Sequence, residues 1–331
     1  MKPNRLKKGS TIGIITPASS AKFVNKNVWD IGVKKLETKG FRLVFGKYIN
    51  KLYGHTAGTI KERIEDLMSM FKNPEVDAIM TVYGGDNSHQ LLPYLDYEVI
   101  KNNPKIFIGF SDITALNNAL YTKTGLINFS GPAFITFCQP ELPEYSEKYF
   151  DEFLIAGKEN VIIKASEKWA EDQWWEKESL LGPREWKENP GWKVLREGVA
   201  EGIAIGGNIG TLLLLVGTEY WPDMEGKILF VEEYELESTQ TIDRLLTHLR
   251  HIGVYDKING LVIGRFSSKV GFNKKDSLRM IVDEAVKGYD FPIISEVDFA
   301  HTDPLITIPI GIRCRIDTKH KEIAFLEKAV K

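Results

Sequence analysis

The sequence predicts an α/β protein built from two domains. Its 331 residues exceed the usual size of one domain, about 150 residues. From the start to about residue 165, short β-branched apolar runs alternate with segments of helical period, the pattern of a parallel sheet with crossover helices. A shift in composition over 166–193 precedes a second, mixed α and β part. We therefore predict an N-terminal α/β domain over 1–165, a connecting segment over 166–193 and a smaller C-terminal domain over 194–331.

The N-terminal elements are predicted from apolar runs and their stop signals. Gly, Pro or Asn bounds each strand, and each strand leads into a loop where ligand groups can gather. The helices end at Gly40 and before Asn73-Pro74, which are ordinary helix stops. The predicted strands are 11–16, 41–45, 76–82 and 105–110, and the predicted helices are 24–39 and 59–72.

The segment 166–193 holds five of the seven tryptophans, set among charged residues and Pro-Gly punctuation. We predict a long loop here. Loops of this length in compact enzymes are usually lids, binding loops or domain connections. The alternative is that the tryptophans fill an interface between the domains.

The C-terminal part again mixes both kinds of element. Its tail places two β-type runs on either side of a polar Thr-Lys-His-Lys turn, which predicts a closing hairpin. The predicted strands are 227–232, 258–264 and 292–297, the predicted helices are 211–216 and 239–251, and the hairpin covers 308–317 and 322–326.

Charge and composition exclude several classes of protein. Lys and Arg total 43 against 45 Asp and Glu, so the net charge of −2 provides no field to collect a nucleic-acid polymer or an anionic membrane. The basic N-terminus precedes an apolar run too short for a signal peptide, and no run approaches the roughly 20 apolar residues that span a bilayer. We expect a soluble cytoplasmic protein.

Metal and redox chemistry are not expected. The two cysteines, Cys138 and Cys314, lie far apart and have no CxxC partner. His248 and His251 are three residues apart on a predicted helix, but no third ligand completes a metal set. No GxGxxG or GxxxxGK[ST] run is present, which argues against a dinucleotide enzyme and a P-loop ATPase.

Ser111 is the strongest candidate nucleophile. It follows the apolar strand 105–110 and precedes a helix-forming run, so it lies on a strand-to-helix turn. Such a turn lifts a hydroxyl out of the sheet and points the next backbone N–H at a developing oxyanion. The competing interpretation is a helix N-cap, because Ser is a common cap and Ile113 stands where an α/β-hydrolase elbow has Gly.

A serine nucleophile needs a base and a carboxylate that orients it. Of the six histidines, His301 is the best placed, in a Pro-rich loop after the strand 292–297. Glu232 ends the strand 227–232, where an α/β site collects side chains, and Glu233 competes with it. Strand alternation puts the two on opposite faces, and we expect one of them to face solvent.

A glycine turn, Gly84-Gly85, ends the strand 76–82. It can bring backbone N–H groups close to an anion or to a substrate carboxylate. The other interpretation is a plain tight turn.

Six separated motifs together resemble the LD-carboxypeptidase family of serine peptidases. Their order and spacing match over nearly the whole chain. The family includes the murein tetrapeptide LD-carboxypeptidases and the microcin C immunity peptidases. The motifs are Gly84-Gly85 with the Leu-Leu-Pro-Tyr-Leu-Asp-Tyr run at 91–97, Gly-Phe-Ser-Asp at 109–112, Gly-Gly-Asn at 206–208, Leu-Phe-Val-Glu at 229–232, Ile-Asp-Arg at 242–244, and the run from His301 to Gly311.

The resemblance implies roles for these residues. Ser111 would be the nucleophile, His301 the general base and then acid, and Glu232 the orienting carboxylate. The backbone N–H groups of Gly85 and Asp112 would form the oxyanion hole. The implied fold is an N-terminal class I glutamine-amidotransferase-like, flavodoxin-like domain joined to a C-terminal domain that contributes Glu232 and His301, with no cofactor and with a homodimeric assembly.

The resemblance is closer to the microcin C immunity branch. Murein-directed members commonly carry an Arg before the Leu-Leu pair, whereas the run Asn-Ser-His-Gln-Leu-Leu at 87–92 has no Arg there. Arg is the natural partner of a peptide carboxylate. That branch is also similar in carrying an aromatic loop, which can stack on a nucleobase. The expected substrate-binding residues are Gly84, Asn87, Asn208, Trp174, Trp175 and Trp186.

Three functions therefore stay open from the sequence. The leading one is hydrolysis of an amide in a peptidyl- or aminoacyl-nucleotide of microcin C type. The second is removal of a C-terminal D-amino acid from murein tetrapeptide. The third is a non-catalytic protein that binds a small molecule and uses Ser111 only as a helix cap.

Overall fold

Two large β-sheets organise the chain. The computed structural model describes residues 1–172, 174 and 183–331. Within these ranges the strands are β1 (Thr11–Ile15), β2 (Arg42–Phe45), β3 (Ala78–Thr81), β4 (Ile106–Ile108), β5 (Asn128–Ser130), β6 (Val161–Ile163), β7 (Lys168–Trp169), β8 (Lys187–Glu188), β9 (Lys193–Arg196), β10 (Val199–Asn208), β11 (Lys227–Glu232), β12 (Gly260–Gly264), β13 (Ile293–Val297), β14 (Ile308–Ile310), β15 (Arg313–Asp317) and β16 (Glu322–Phe325). The α-helices are α1 (Lys26–Thr38), α2 (Ile60–Lys72), α3 (Tyr97–Asn102), α4 (Thr114–Thr124), α5 (Phe134–Phe137), α6 (Glu144–Phe150), α7 (Ile209–Leu213), α8 (Thr239–His251) and α9 (Leu278–Ala285).

The first sheet has the strand order β14-β5-β4-β3-β1-β2. Strands β1 to β5 pair in parallel, and β14 joins β5 antiparallel. Every residue of β1, β3 and β4 is buried, as expected for parallel strands that are covered on both faces. The four predicted strands and two predicted helices of this domain are present, with small shifts at their ends, and the predicted α/β class is confirmed.

The helices of this domain begin at side-chain caps. Asn25 accepts the backbone N–H of Asn27 at the start of α1. Thr59 and Glu62 form a reciprocal capping box at the start of α2. These caps explain why each helix starts slightly later than the apolar pattern alone predicts.

The second sheet has the order β6-β16-β15-β10-β11-β12-β13-β9. Its centre, β10 to β13, is parallel, and its outer strands pair antiparallel. Asn208 on β10 stands opposite Glu232 on β11. The carboxyl ends of these parallel strands therefore bring two motifs of the sequence side by side.

The tail differs from the predicted hairpin. Only β15 and β16 pair as a hairpin, whereas β14 leaves them and pairs with β5 in the first sheet. The break is at Gly311, whose φ of 93° is a left-handed conformation that suits glycine. A Cβ at Gly311 would also overlap the ring of Tyr121. The chain therefore changes sheet at a position where a side chain has no room.

The two sheets exchange edge strands. β6 precedes the connecting segment but pairs with β16 in the second sheet, while β14 from the C-terminal part extends the first sheet. The described part of 166–193 contains a short ribbon, β7 paired with β8, so it is not wholly a loop. The run 298–307 between β13 and β14 consequently crosses from one sheet to the other.

Candidate active site

Ser111 lies where β4 ends and a 3₁₀ turn, Ser111–Ile113, leads into α4. Its φ of 63° is a left-handed conformation that costs a non-glycine residue roughly 1–2 kcal/mol. Its hydroxyl caps neither the turn nor α4. The Oγ instead lies 2.9 Å from Nε2 of His301. The strained backbone thus presents the hydroxyl to an imidazole. The hydroxyl does not act as a helix cap.

The other nitrogen of His301 contacts the second sheet. Nδ1 lies 2.7 Å from Oε2 of Glu232, whose residue is 3% exposed at the end of β11. The structure thus brings Ser111, His301 and Glu232 into one hydrogen-bonded chain, although they come from three separate parts of the sequence. A carboxylate on Nδ1 favours the tautomer in which Nε2 can accept a proton from the hydroxyl.

Glu233 points the other way and has different partners. Its Oε1 accepts from Nδ2 of Asn208 at 2.6 Å, and its Oε2 accepts from the N–H of Gly210 at 2.9 Å. The expectation that one of the two glutamates faces solvent was wrong, because both are buried. Burial and the neighbouring charge of Glu232 raise the pKa of Glu233.

The electrostatics of His301 are set by opposing effects. Burial acts to lower the pKa of its imidazole, whereas the carboxylate of Glu232 acts to raise it, and the charges of Glu235 and Glu233 add to that effect. The net result is a pKa above the ordinary value for histidine. The rings of Phe110 and Tyr234, with centroids 5.5 and 5.2 Å from that of His301, pack against the imidazole.

The glycine turn packs directly on the Ser111 turn. A Cβ on Gly84 would lie 2.9 Å from Cβ of Ser111 and 3.0 Å from the backbone N of Asp112. Gly85 has a φ of 148°, and a Cβ there would overlap Oγ of Ser19. Only glycine permits this approach, so the turn that follows β3 lies beside the backbone N–H of Asp112.

Ser88 ties these two turns together. Its N–H donates to the Asp112 carboxylate at 2.8 Å, and its hydroxyl donates to the backbone carbonyl of Asp112 at 2.6 Å. The Asp112 side chain is buried, and burial raises the pKa of its carboxyl group. Asp112 therefore holds the site together through its side chain while its N–H remains at the Ser111 turn.

A cavity of about 1080 Å³ opens over Ser111 and His301. This volume is at the upper end of the range for small-molecule sites. Aromatic rings from Phe23, Tyr83, Phe110 and Tyr234 line it, and so do several carboxylates, while no Lys or Arg of the described ranges does. The acidic lining residues are Asp86, Asp112, Glu233, Glu235 and Glu237.

The predicted substrate-binding residues have mixed positions. Gly84, Gly85 and Asn208 line the cavity, but Asn87 is not among the lining residues, and its neighbour Asp86 is. Asn208 is buried and already bonded: it caps α7 through Thr211 and donates to Glu233. These hydrogen bonds therefore fix the Asn208 side chain in the wall of the cavity.

The tryptophans that the structure describes do not line the cavity. Trp174 is 4% exposed and packs in a hydrophobic core. Trp186 lies over the guanidinium of Arg184, at 5.1 Å from the ring centroid. Trp175 lies outside the described residues.

Sequence reasoning missed the aromatic residues of the cavity. Phe23 lies in the loop after β1, and the only signal in the sequence was an aromatic residue in a loop that follows a parallel strand; its 76% exposure is known from the structure. Tyr234 directly follows the two glutamates and carried no motif of its own. Gly264 was also missed: a Cβ there would lie 2.8 Å from Cβ of Glu232 and would overlap the carbonyl oxygen of Phe299.

The described residues, 1–172, 174 and 183–331, also bear on metal binding and membrane insertion. No group of three or more His, Cys, Asp or Glu side chains is arranged there to hold a metal ion. Among the helices in those ranges, none is long and apolar enough to cross a membrane.

Comparison with known protein families accounts for both parts of the chain. Residues 12–131 match the LD-carboxypeptidase N-terminal domain, and residues 201–316 match the LD-carboxypeptidase C-terminal domain.

Three curated relatives align over nearly their full lengths. The putative carboxypeptidase YocD of Bacillus subtilis is 39% identical over 317 residues, which cover 96% of each chain. The microcin C7 self-immunity protein MccF of Escherichia coli is 36% identical over 97% of this chain and 94% of its own. A probable murein peptide carboxypeptidase of Bacillus subtilis is 31% identical over 97% of this chain and 92% of its own.

Solved structures agree with this assignment. An MccF-like protein from Bacillus anthracis superposes with a TM-score of 0.92 at 38% identity, covering 99% of each chain. MccF in complex with aspartyl sulfamoyl adenosine gives a TM-score of 0.91 at 35% identity, covering all of both chains. MccF with glutamyl sulfamoyl guanosine gives 0.90 at 35% identity, covering 100% of this chain and 99% of the other.

Proposed function

This chain belongs to the LD-carboxypeptidase family of serine peptidases, and from that membership we propose that it hydrolyses an amide bond in an aminoacyl- or peptidyl-nucleotide of microcin C type. The hydrogen-bonded chain from Ser111 through His301 to Glu232 is the observation that carries the proposed chemistry. The proposed substrate class rests on the cavity above Ser111 and on the similarity of this chain to MccF and to an MccF-like protein.

The proposed mechanism has two halves. In the first, Ser111 Oγ attacks the amide carbonyl while His301 takes its proton, and the N–H groups of Gly85 and Asp112 stabilise the oxyanion. The C–N bond then breaks as His301 returns the proton to the leaving nitrogen, which leaves an acyl-enzyme. In the second half, His301 deprotonates a water that attacks the ester carbonyl. It then returns that proton to Ser111 Oγ as the ester C–O bond breaks and the acid is released. Glu232 holds the imidazole and stabilises its cationic form throughout.

The size and the aromatic lining of the cavity support a nucleotide amide over a peptide with a free C-terminus. Its volume of about 1080 Å³ and its aromatic lining suit a planar base, which stacks favourably on such rings. The ligands in the two MccF complexes, an adenosine and a guanosine derivative, fit recognition by stacking, because every base has a π-face.

The second candidate is removal of a C-terminal D-amino acid from murein tetrapeptide. The relative described as a probable murein peptide carboxypeptidase supports it. The two candidates share the nucleophile and differ in the leaving group, so a product assay separates them.

The test is mass-spectrometric product analysis of wild-type and Ser111→Ala protein, incubated separately with aspartyl sulfamoyl adenosine and with murein tetrapeptide. We expect aspartate and sulfamoyl adenosine from the first substrate, with wild type only. Release of D-alanine alone would make the protein a murein carboxypeptidase. Product formation by Ser111→Ala would exclude the serine mechanism.

Family resemblance also supports a homodimer in the cytoplasm as part of this proposal. Light scattering on the purified chain measures the assembly: a mass near twice the 37.6 kDa of one chain is expected, and a mass of one chain would exclude the dimer.

A further inference from the structure

The tryptophan-rich segment 166–193 touches the loop that carries His301 at two places. We define the His301 loop as residues 298–303. One contact is at Asp298, before the histidine, and the other is at Asp303, after it. The contacting residues all belong to the described part of the segment.

The first contact surrounds the buried carboxylate of Asp298, whose residue is 1% exposed. Ser166 donates to it from its hydroxyl at 2.9 Å and from its backbone N–H at 3.0 Å. The indole N–H of Trp192 donates at 2.8 Å, and Asn189 donates from Nδ2 at 3.1 Å. Arg265 balances the charge from 3.7 Å. Asp298 thus has its hydrogen bonds satisfied chiefly by the segment.

The second contact centres on Arg184, whose side chain is 1% exposed. Its Nη2 donates to Asp303 at 2.8 Å, and its Nε donates to both carboxylate oxygens of Asp172, at 3.0 and 3.1 Å. Gln139 of the N-terminal domain accepts from Arg184 and donates to Asp303 at 3.1 Å. The backbones of Ala170 and Asp303 also exchange two hydrogen bonds of 2.8 Å.

These contacts matter because the catalytic geometry is short and directional. His301 must hold Nε2 at 2.9 Å from Ser111 Oγ and Nδ1 at 2.7 Å from Glu232. Loops are generally more mobile than the elements they join. A displacement of about 1 Å in a positioned catalytic group costs about 10²-fold in rate. Charge-assisted bonds on both sides of the histidine restrict such a displacement.

We propose that the described residues of this segment, 166–172 and 183–193, form a positioning clamp for His301, in which Trp192 and Arg184 act as positioning residues through Asp298 and Asp303. The inference rests on the proposed serine mechanism. It gives Trp192 a role different from base stacking. It also joins the base to the N-terminal domain through Gln139, so that the nucleophile and the base share one framework.

The test measures the reaction of Ser111 with a fluorophosphonate probe, which needs no knowledge of the substrate. Labelling rate constants are recorded from pH 5 to 9 for wild type, Trp192→Phe and Arg184→Lys. Trp192→Phe removes one N–H donor, and Arg184→Lys keeps the charge but loses the planar fork. Matched controls are Trp221→Phe and Arg250→Lys; Arg250 bonds carbonyls of Ala285 and Lys287 and does not line the cavity. Melting temperatures are recorded for all variants.

We expect labelling of both clamp variants to slow by about 10–100-fold. We also expect the acid limb of the pH profile of labelling to move to lower pH. His301 would lose part of its contact with Glu232, which raises the pKa of the imidazole, whereas Glu233 and Glu235 would keep their positions. The controls should lower the melting temperature without either change. Labelling of the clamp variants at the wild-type rate and pH midpoint would overturn the clamp. A wild type that does not react at Ser111 would instead overturn the serine mechanism, and the clamp with it.

Discussion

Replacing Glu232 by Gln tests how the acid of the proposed triad works. The carboxylate and the imidazolium that forms during reaction are both largely shielded, with side-chain exposures of 4% and 11%. Two unit charges about 4 Å apart at an effective dielectric constant near 20 attract by about 4 kcal/mol. Since 1.36 kcal/mol corresponds to a factor of ten, Glu232→Gln should lower kcat by about 10³-fold.

The pH dependence of the same variant has a definite sign. The neutral imidazole of His301 is the base, so activity rises as pH increases through the histidine pKa. Burial lowers the pKa of His301 and Glu232 raises it. The Glu232→Gln substitution would remove the largest raising effect and leave burial, which lowers the pKa, with the smaller raising effects of Glu235 and Glu233. The acid limb of kcat/KM should therefore move to lower pH while the plateau falls.

The assay is kcat and kcat/KM from pH 5 to 9 on the substrate identified by product analysis, with Glu233→Gln as the matched control. Glu233 is the neighbouring buried glutamate, but its carboxylate bonds Asn208 and Gly210 instead of His301. Its loss should reduce activity less and leave the Glu232 contact in place. Equal losses for the two variants, or an acid limb that moves to higher pH in Glu232→Gln, would refute the reasoning.

Three further substitutions test the turns around the site. In urea denaturation, the free energy of unfolding of Ser111→Gly should exceed that of Ser111→Ala by about 1 kcal/mol, because glycine tolerates the φ of 63°. Equal free energies of unfolding would argue against strain at this turn. Gly84→Ala should lower kcat by about 10²–10³-fold with little change in KM, since its Cβ would lie 3.0 Å from the Asp112 nitrogen that we propose as an oxyanion donor; an unchanged kcat would remove this turn from the mechanism. Gly264→Ala should lower the free energy of unfolding by about 1–3 kcal/mol, because its Cβ would overlap the carbonyl of Phe299; a neutral result in urea denaturation would mean that the strand can shift.

The elements that the sequence predicts best are those with local start and stop signals. The predicted strand 227–232 and helix 239–251 match β11 and α8 at both ends. Ser238 caps α8 by accepting the N–H of Thr241, and basic residues fill the last turn, where they interact favourably with the helix dipole. These signals lie within a few residues of the feature they specify.

The features that sequence reasoning missed depend on distant parts of the chain. The run 308–317 has strand character throughout, but its first part finds a partner in β5 and its second part in β16. Likewise, the number of tryptophans in the segment 166–193 does not tell whether one of their rings contacts a ligand or packs in a hydrophobic core. Trp192 is buried because Asp298, far along the chain, supplies an acceptor for its indole N–H.

The choice between Glu232 and Glu233 shows where pattern reasoning stops. Glu232 ends β11 and Glu233 follows it, and their carboxylates have different partners, but strand alternation cannot tell which partners lie on either side. On one face, Asn208 and the N–H of Gly210 supply donors, so Glu233 is buried as part of the framework. On the other, Gly264 leaves room for the Phe299 carbonyl beside Glu232, so the His301 loop can approach. The glutamate that contacts His301 is thus selected by a missing side chain on the adjacent strand, and only the packed sheet reveals it.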